Sequence, residues 1–342
     1  MASRVDTSAA PRLSVVMPVH NAGPYLAGSV ESILTQTFTD FELVALDDAS
    51  TDGSAGLLRD WAKRDQRIRV VESSIRLGMV GSADRVVREA RAPVCARMDA
   101  DDVSRPTRLA TQWEVLEANP DACLVGSLWE GIDAAGRLVR PQDRWRLVRR
   151  SSFAPFPHGS IMFRREAFDA VGGYRAACTY WEDLDLYLRM AARGRVLVVP
   201  ASLYCYRFHA GSVLGGEIGV EEARAVQFML RCLAARRAGA DYRMLRSEEG
   251  GAEDRLSLSP DALYLLAARR LWAGHSPGIL RQLPRLGMRR PTPLWLGLFV
   301  LATVGDLSPR TVRWALRGFI RLRDALAGIA IRGGRPVEWQ FD

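Results

Sequence analysis

The sequence is nearly without lysine, has few cysteines, and lacks the pattern that directs a chain out of the cell. Lys63 is the only lysine among 47 basic residues, so arginine provides almost all of the positive charge. The five cysteines are widely spaced and include no C-x-x-C pair, which argues against a disulfide framework and a zinc site. Residues 1–12 are polar and rich in Ala and Ser, unlike a secretory signal. These absences predict a cytoplasmic protein.

Long apolar runs are also missing. The run at residues 294–304 is too short to cross a membrane, because a spanning helix needs about 20 residues. Hydrophobic residues make up 48% of the chain and charged residues 25%, as in ordinary globular proteins. Since 342 residues exceed what a single core usually fills, we expect one domain of about 200 residues and a smaller appendage. We divide the chain into a flexible N-terminus at 1–11, a main domain at 12–215 and a C-terminal region at 216–342.

Positive charge is concentrated in the C-terminal region. Residues 255–342 contain 14 arginines and 5 acidic residues, whereas residues 1–254 contain 33 basic and 34 acidic residues. Between residues 310 and 323 arginines alternate with apolar residues, a basic amphipathic pattern typical of contact with an anionic membrane surface. A packed, mainly helical appendage is the alternative. No nucleic-acid-binding motif accompanies these arginines, so we expect no nucleic acid partner.

In the first 100 residues, short apolar runs alternate with stretches of helical periodicity. The predicted strands are residues 13–17, 41–46, 68–71 and 94–98. The predicted helices are residues 26–34, 54–64 and 80–90. This alternation predicts an α/β fold with a mostly parallel sheet and helices on both faces, and ligands bind to such sheets beyond the carboxyl ends of the strands.

Beyond residue 106 the pattern is weaker. A helix is predicted at 106–117 and another at 181–193, and the glycine-rich segment 211–219 is the predicted hinge between domains. Short strands are predicted at 122–127, 196–199 and 203–207.

Acidic residues follow two of the predicted strands. Asp47 and Asp48 follow the second strand, and Asp99, Asp101 and Asp102 follow the fourth. Mg²⁺ and Mn²⁺ take one or two carboxylates and share the rest of their coordination with water and substrate phosphates, so a nucleoside diphosphate with a divalent metal fits this cluster. On the D-x-D pattern alone, turn and helix-capping acids are an equal alternative.

Several segments, in this order and spacing, resemble the family 2 glycosyltransferases. They are SVVMPVHN at 14–21, TQTFTDFEL at 35–43, DDASTDGS at 47–54, RMDADD at 97–102, YWEDLDLYLR at 180–189 and YRFHAGS at 206–212. The resemblance covers residues 12–215 and stops before the basic C-terminal region. It implies a GT-A fold, a Rossmann-like nucleotide-binding domain, and inverting transfer of a sugar from a nucleoside diphosphate sugar, with a uridine diphosphate sugar expected first.

The same resemblance implies roles for individual residues. The nucleotide-sugar-binding residues would be Pro18, Val19, His20, Asn21, Asp48, Arg76, Asp99, Ala100, Asp101 and Glu182. The metal ligands for Mg²⁺ or Mn²⁺ would be Asp101, Asp102 and His209. Asp183 would be the general base, which inverting transfer needs to take the proton from an acceptor hydroxyl. His20 departs from the family, in which many members have Tyr at this position.

Each of these assignments has a plainer alternative. The acids at 182–185 could be a solvated first turn of a helix, Arg76 an ordinary surface arginine and His209 a loop histidine. His158 could face the acceptor or be a hydrogen-bonded core residue.

Two other functions are kept beside the transferase. One is a non-catalytic, membrane-associated partner in polysaccharide assembly. The other is a phosphatase of the haloacid dehalogenase type, for which the sequence offers only Lys63 as the required lysine. For the transferase we expect a saccharide or lipid-linked saccharide acceptor in cell-surface polysaccharide synthesis. The enzyme would then work at the inner face of the plasma membrane.

Overall fold

The computed structural model describes residues 10–140, 156–209, 211, 220–241 and 336–339. The described residues fall into two compact units. The first contains the chain up to Ala176, then Glu182–Arg207 and the last described segment. The second contains Ala177–Trp181 and the residues from Phe208 to 241. The predicted amphipathic segment at 310–323, the apolar run at 294–304 and most of the predicted hinge lie outside the described residues.

The first unit is an α/β structure, as the alternating pattern predicts. Its strands are β1 (Leu13–Val19), β2 (Phe41–Asp48), β3 (Ile68–Ser73), β4 (Val94–Arg97), β5 (Val103–Ser104), β6 (Ala122–Asp133), β7 (Leu138–Arg140), β8 (Met162–Arg164), β9 (Arg195–Phe208) and β10 (Val337–Trp339). The helices are α1 (Gly23–Leu34), α2 (Ser54–Arg64), α3 (Gly78–Arg88), α4 (Arg108–Ala118), α5 (Arg165–Ala170), α6 (Glu182–Met190) and, in the second unit, α7 (Val220–Arg237). Within these described segments no helix has the length and apolarity needed to span a membrane.

The described strands form one sheet in the order β10-β9-β6-β8-β4-β1-β2-β3, with β5 beside β9 and β7 beside β6. β4, β1, β2 and β3 pair in parallel, and β8 inserts antiparallel between β4 and β6. Because crossovers between parallel strands are right-handed, α1 and α2 lie on one face of this sheet and α3 on the other. The prediction of a largely parallel sheet covered on both faces is confirmed.

The apolar runs form the central strands because both of their faces are covered. In β1, Leu13, Val15, Val16 and Met17 have no solvent exposure, and β2 is buried along its whole length. α1 begins at Gly23 with a proline in its first turn, which suits a helix start because proline needs no hydrogen-bond acceptor there.

Several strands differ from the sequence prediction, and the short strands β5, β7 and β8 were not predicted. The predicted strands at 196–199 and 203–207 are one continuous strand, β9, of 14 residues. β10, from a region predicted as mainly helical, pairs antiparallel with β9 through Val337 and Trp339. The last strand of the chain therefore belongs to the same sheet as the first.

A buried polar contact fixes the packing of β1 against β2. Ser14 Oγ donates to Glu42 Oε1 at 2.7 Å and accepts from the Ala92 backbone N–H at 3.0 Å. Ser14 has no solvent exposure and Glu42 is 6% exposed. Removing the hydroxyl would leave the Ala92 N–H without its partner inside the protein, and Glu42 Oε1 would keep only the Arg91 N–H at 2.8 Å.

We predict that Ser14→Ala lowers the free energy of unfolding by about 1–3 kcal/mol, the usual cost of leaving buried polar groups unpaired. Ser74→Ala is the matched control, because Ser74 is exposed and its loss should change stability by less than about 0.5 kcal/mol. Urea denaturation of the two variants measures the difference, and equal stabilities would contradict the prediction.

Candidate active site

The predicted site residues of the first unit begin where β1, β2 and β4 end. His20 follows β1, Asp48 ends β2, and Asp99 lies two residues beyond β4. β1 lies between β2 and β4 in the sheet: the chain runs from β1 through β2 to β3 on one side and then crosses back to form β4 on the other side, so the strand order reverses beside β1. Ligands of open α/β sheets bind at such a switch point. The structure thus brings these three loops to one edge of the sheet.

The loop after β1 is tied to the loop after β2. His20 Nδ1 donates to the Asp48 backbone carbonyl at 2.8 Å, since a carbonyl only accepts. Asn21 Oδ1 accepts from the Thr51 N–H at 2.8 Å, and the Asn21 N–H donates to Ser50 Oγ at 3.1 Å. Asn21 has φ of 51°, in the left-handed region that asparagine tolerates. Pro18 and Val19 lie at the end of β1, so all four predicted loop residues are neighbours.

Asp48 is buried and holds the turn that contains Arg76. Its carboxylate accepts from the Leu77 N–H at 2.6 Å, the Gly78 N–H at 3.0 Å and Arg76 Nη1 at 2.5 Å. Gly78 has φ of 75°, a conformation that favours glycine. Arg76 and Asp48 are therefore brought together, and their predicted contact with the nucleobase stays a prediction.

Asp99 is held between two buried side chains. Arg97 Nη1 donates to Asp99 Oδ1 at 2.5 Å, and the Asp99 N–H donates to the Tyr204 hydroxyl at 3.2 Å. Burial alone would lower the pKa of Arg97, but the Asp99 carboxylate, together with Tyr174 and Tyr204, raises it above its ordinary value. Burial raises the pKa of Tyr204, and the nearby carboxylates raise it further. A charged arginine and a neutral tyrosine thus orient this carboxylate.

Gly159 leaves room for this arrangement. A Cβ at this position would overlap both the Tyr204 hydroxyl and the Asp99 carboxylate. Arg108, which has no solvent exposure, donates through Nη1 to the backbone carbonyls of Gly159 and Arg97, each at 3.0 Å. Burial lowers the pKa of Arg108 to about 10, so it stays charged at neutral pH. One guanidinium therefore joins the end of β4 to the turn at 158–160.

Asp101 and Asp102 differ strongly in environment. Asp102 is 1% exposed and its Oδ1 accepts from the Arg207 N–H at 2.7 Å, while its backbone carbonyl accepts from Ser29 at 2.6 Å. Burial raises the pKa of Asp102 well above its ordinary value, and the carboxylates of Asp101 and Asp99 raise it further. Asp101 is half-buried, and Arg207 Nε donates to its backbone carbonyl at 2.6 Å. Ala100, between these acids, is buried.

The first turn of α6 contains three acids with different surroundings. Asp185 is buried and accepts from Arg175 at 3.1 Å and from Arg189 at 2.6 and 3.0 Å. The ion pair with Arg175 connects α6 to the segment that precedes it. Glu182 is 6% exposed, and Asp183 is half-buried with Oδ1 accepting from the Leu184 N–H at 2.7 Å. The helix dipole at this end favours the ionised form of Asp183.

His158 and His209 lie in different units. His158 is in a buried cluster with Tyr174, as the core alternative predicted, and Glu182 lies beside it. His209 directly follows β9 in the second unit, and its predicted role as a metal ligand stays a prediction.

The carboxylates after β4 fit a divalent metal shared with a diphosphate. Among the residues whose structure is described, no group of three or more His, Cys, Asp or Glu could hold a metal ion. Hard cations such as Mg²⁺ and Mn²⁺ need only one or two carboxylates when substrate phosphates supply the remaining oxygens. Asp99 and Asp101 are partly exposed oxygen donors of this kind.

Arg97, Arg108, Arg207, Tyr204 and Gly159 are site residues that the sequence analysis did not assign. Arg97 gave one signal, because a charged residue inside an apolar strand is costly unless it is paired. Arg207, Tyr204 and Gly159 meet the acids of this site only through partners far away in the chain, and Arg108 reaches Gly159 51 residues away, so local spacing held no information about these contacts.

The chain matches the profile of Glycosyl transferase family 2 over residues 14–179. EpsE of Bacillus subtilis (strain 168), which is described as a glycosyltransferase, is 32% identical over 190 residues, covering 54% of this chain and 68% of EpsE. The O-antigen biosynthesis glycosyltransferase WbnJ of Escherichia coli is 29% identical over 52% of this chain and 71% of its own length. The chain belongs to glycosyltransferase family 2.

Other relatives are much longer than the matched region. The chain spans 27% of the length of chondroitin synthase of Escherichia coli, with 26% identity.

Solved glycosyltransferases share the fold. The mannosyltransferase PcManGT from Pyrobaculum calidifontis, solved with GDP-Man and Mn²⁺, gives a TM-score of 0.54 at 19% identity, covering 92% of this chain and 81% of PcManGT. Residues 1–349 of Staphylococcus aureus TarS, solved with UDP-GlcNAc, also give 0.54, at 15% identity, covering 80% of this chain and 88% of that one. The first unit therefore has the GT-A fold.

We predict that Gly159→Ala weakens binding of UDP in the presence of Mn²⁺ by at least ~10-fold, because displacing Asp99 by about 1 Å is costly at such a site. Isothermal titration measures the dissociation constant. The control is Gly28→Ala, since a Cβ there meets nothing within 4 Å and alanine favours the helix. Affinities within twofold for both variants would contradict this role of Gly159.

Proposed function

We propose that this chain is an inverting glycosyltransferase that moves a sugar from a nucleoside diphosphate sugar to an acceptor hydroxyl. A uridine diphosphate sugar is the donor proposed first. The observation that supports this most is the separation of acids into two groups, Asp99–Asp102 after β4 and Glu182–Asp183 at the start of α6. One group suits a diphosphate with its metal, and the other suits the proton of an acceptor.

In this proposal Asp183 takes the proton from the acceptor hydroxyl as that oxygen attacks the anomeric carbon of the donor. The bond to the diphosphate breaks in the same displacement, which inverts the anomeric configuration. Asp183 lies in the first turn of α6, where the helix dipole favours the negative charge that a base needs. Pro18–Asn21, Asp48 and Arg76 hold the nucleotide, and Glu182 contributes to the sugar side.

Asp101, Asp102 and His209 are the proposed ligands of Mg²⁺ or Mn²⁺, with Asp99 assisting. A bound cation would neutralise the charge that develops on the leaving diphosphate. Burial, which raises the pKa of Asp102, opposes the ionised form that a metal ligand needs. The half-buried Asp101 is the ligand that the described geometry favours.

The proposed acceptor is a saccharide or lipid-linked saccharide in cell-surface polysaccharide synthesis. Support comes from relatives whose names refer to O-antigen biosynthesis and chondroitin synthesis. We further propose a cytoplasmic enzyme whose basic C-terminal region attaches it to an anionic membrane surface, a proposal supported by the arginine pattern alone.

Family membership sets aside the phosphatase alternative. The non-catalytic alternative loses support because every expected carboxylate is present at its site.

We predict that release of nucleoside diphosphate from a panel of UDP-, GDP- and dTDP-sugars identifies one donor class. With that donor, Asp183→Asn should lower turnover by at least ~10²-fold, because the amide keeps the shape but cannot accept the proton. Nucleotide affinity should change by less than about twofold. Release from no donor would contradict the proposed function, and near-normal transfer by Asp183→Asn would exclude this residue as the base.

We also predict that exhaustive chelation abolishes transfer and that Mn²⁺ or Mg²⁺ restores it. Asp101→Asn should raise the metal concentration needed for half-maximal activity by at least ~10-fold, since one carboxylate ligand is lost. Asp60→Asn, on the exposed side of α2, is the control and should behave as the wild type. Full activity after chelation would show that arginines alone stabilise the leaving group.

A further inference from the structure

His158 is a buried histidine to which the proposed mechanism gives no role. It begins the short turn His158–Ser160, and its side chain is 11% exposed. Its ring packs edge-on against Tyr174 and Tyr187, with centroid distances of 5.5 and 6.0 Å. Tyr187 belongs to α6, so the imidazole lies against the helix whose first turn contains Asp183.

The two ring nitrogens of His158 face different groups. Nε2 is 2.6 Å from the Tyr174 hydroxyl, and Nδ1 is 3.9 Å from Glu182 Oε1. A carboxylate favours a proton on the nitrogen that faces it, so Nδ1 carries the proton and Nε2 accepts from the Tyr174 hydroxyl; the Nδ1–H dipole faces Glu182 at a distance longer than a hydrogen bond. With this tautomer, each polar hydrogen points the same way: the Tyr174 hydroxyl points to Nε2, and the Nδ1–H points toward Glu182.

Both members of the His158–Tyr174 pair are neutral at neutral pH. Burial lowers the pKa of His158 well below its ordinary value, and the positive charge of Arg97 lowers it further. Burial raises the pKa of Tyr174, and the carboxylates of Glu182 and Asp183 add to that effect. These neighbours, together with Asp99 and Tyr187, are the charged and titratable groups around the pair.

Tyr174 is itself firmly placed. Its backbone N–H donates to Asp84 Oδ1 at 3.0 Å, and its ring packs edge-on against Phe168 at 5.5 Å. Gly173 before it has φ of 73° and no space for a side chain, so the chain turns sharply there. The backbone and ring of Tyr174 are therefore held in place, and with them the hydroxyl that hydrogen-bonds to His158.

We propose that His158 is a positioning residue that holds Glu182, and with it the first turn of α6, in the geometry that Asp183 needs as the base. This inference rests on the proposed function. The same turn places Gly159 against Asp99. Consecutive residues of this turn therefore lie beside both acidic groups, His158 beside Glu182 at the start of α6 and Gly159 beside Asp99 after β4.

The test compares three substitutions in the full chain, with the donor identified by the panel. His158→Asn puts an amide where Nδ1 lies and keeps a donor toward Glu182. His158→Gln puts an amide where Nε2 lies and keeps the contact with Tyr174. His158→Phe keeps the ring shape and loses both.

We predict that His158→Gln and His158→Phe lower kcat by at least ~10-fold, because a small displacement of the first turn of α6 misplaces the base, whereas His158→Asn stays within about threefold. The acidic limb of the pH profile should move to higher pH in the Gln and Phe variants only, because a carboxylate that no longer faces an N–H dipole binds a proton more readily. The dissociation constant for UDP with Mn²⁺ should change by less than about twofold in all three.

A purely structural role would give a different result. Equal losses of kcat in the three variants, in step with their melting temperatures, would overturn the inference, and so would parallel losses of UDP affinity or wild-type activity in the Gln and Phe variants. If the wild-type chain transfers sugar from no donor, the proposed function fails and the inference falls with it. If the wild type is active but the variants give any of the contradicting results above, only the inference about His158 is overturned and the proposed function stands.

Discussion

Several carboxylates lie near one edge of the sheet, and the arginines that neutralise their charge determine how the surrounding residues pack. Asp48, Asp99 and Asp185 each pair with an arginine, and Asp102 accepts from the backbone of another. A carboxylate that leaves water without such a partner is strongly destabilising. These buried or partly buried acids therefore each need an arginine beside them, and of these arginines Arg97 and Arg189 are themselves buried.

Arginine suits this task better than lysine. The guanidinium of Arg108 donates to two backbone carbonyls and a serine hydroxyl at once, which a single ammonium cannot do in the same plane. Arg207 likewise joins the loop after β4 to the carbonyls of Asp133 and Ala134. Rigid forks of donors at the base of the site thus fix the backbone that carries its carboxylates.

Much of the first unit could be predicted because its strands have strong local patterns. The apolar runs of β1 and β2 and the acids that end β2 and follow β4 are all visible in short windows of sequence. β9 was divided in the prediction because Pro200 and the small residues Ala201 and Ser202 interrupt the apolar run, although the chain stays extended through them. Three-residue β10 has no periodicity of its own and forms only because β9 offers an edge.

The site was predictable in its acids and not in what orients them. A carboxylate after a strand is a local feature, whereas the contact of Gly159 with Asp99 or of Arg207 with Asp102 depends on how distant segments fold together. The family resemblance supplied roles for Asp183 and Asp101, but these roles concern the ligand. The residues that position those acids follow from packing, which one sequence does not display.

The antiparallel pairing of β10 with β9 has a consequence for how the molecule divides. The chain leaves the first unit after Arg207 and rejoins its sheet at Val337. The intervening chain is therefore attached to the same sheet at both of its ends. That intervening chain is topologically an insertion in the first unit and not an addition to its end. A protein shortened after residue 215 would expose the backbone N–H and C=O groups of β9 that β10 now pairs, and a free strand edge of that kind recruits other chains.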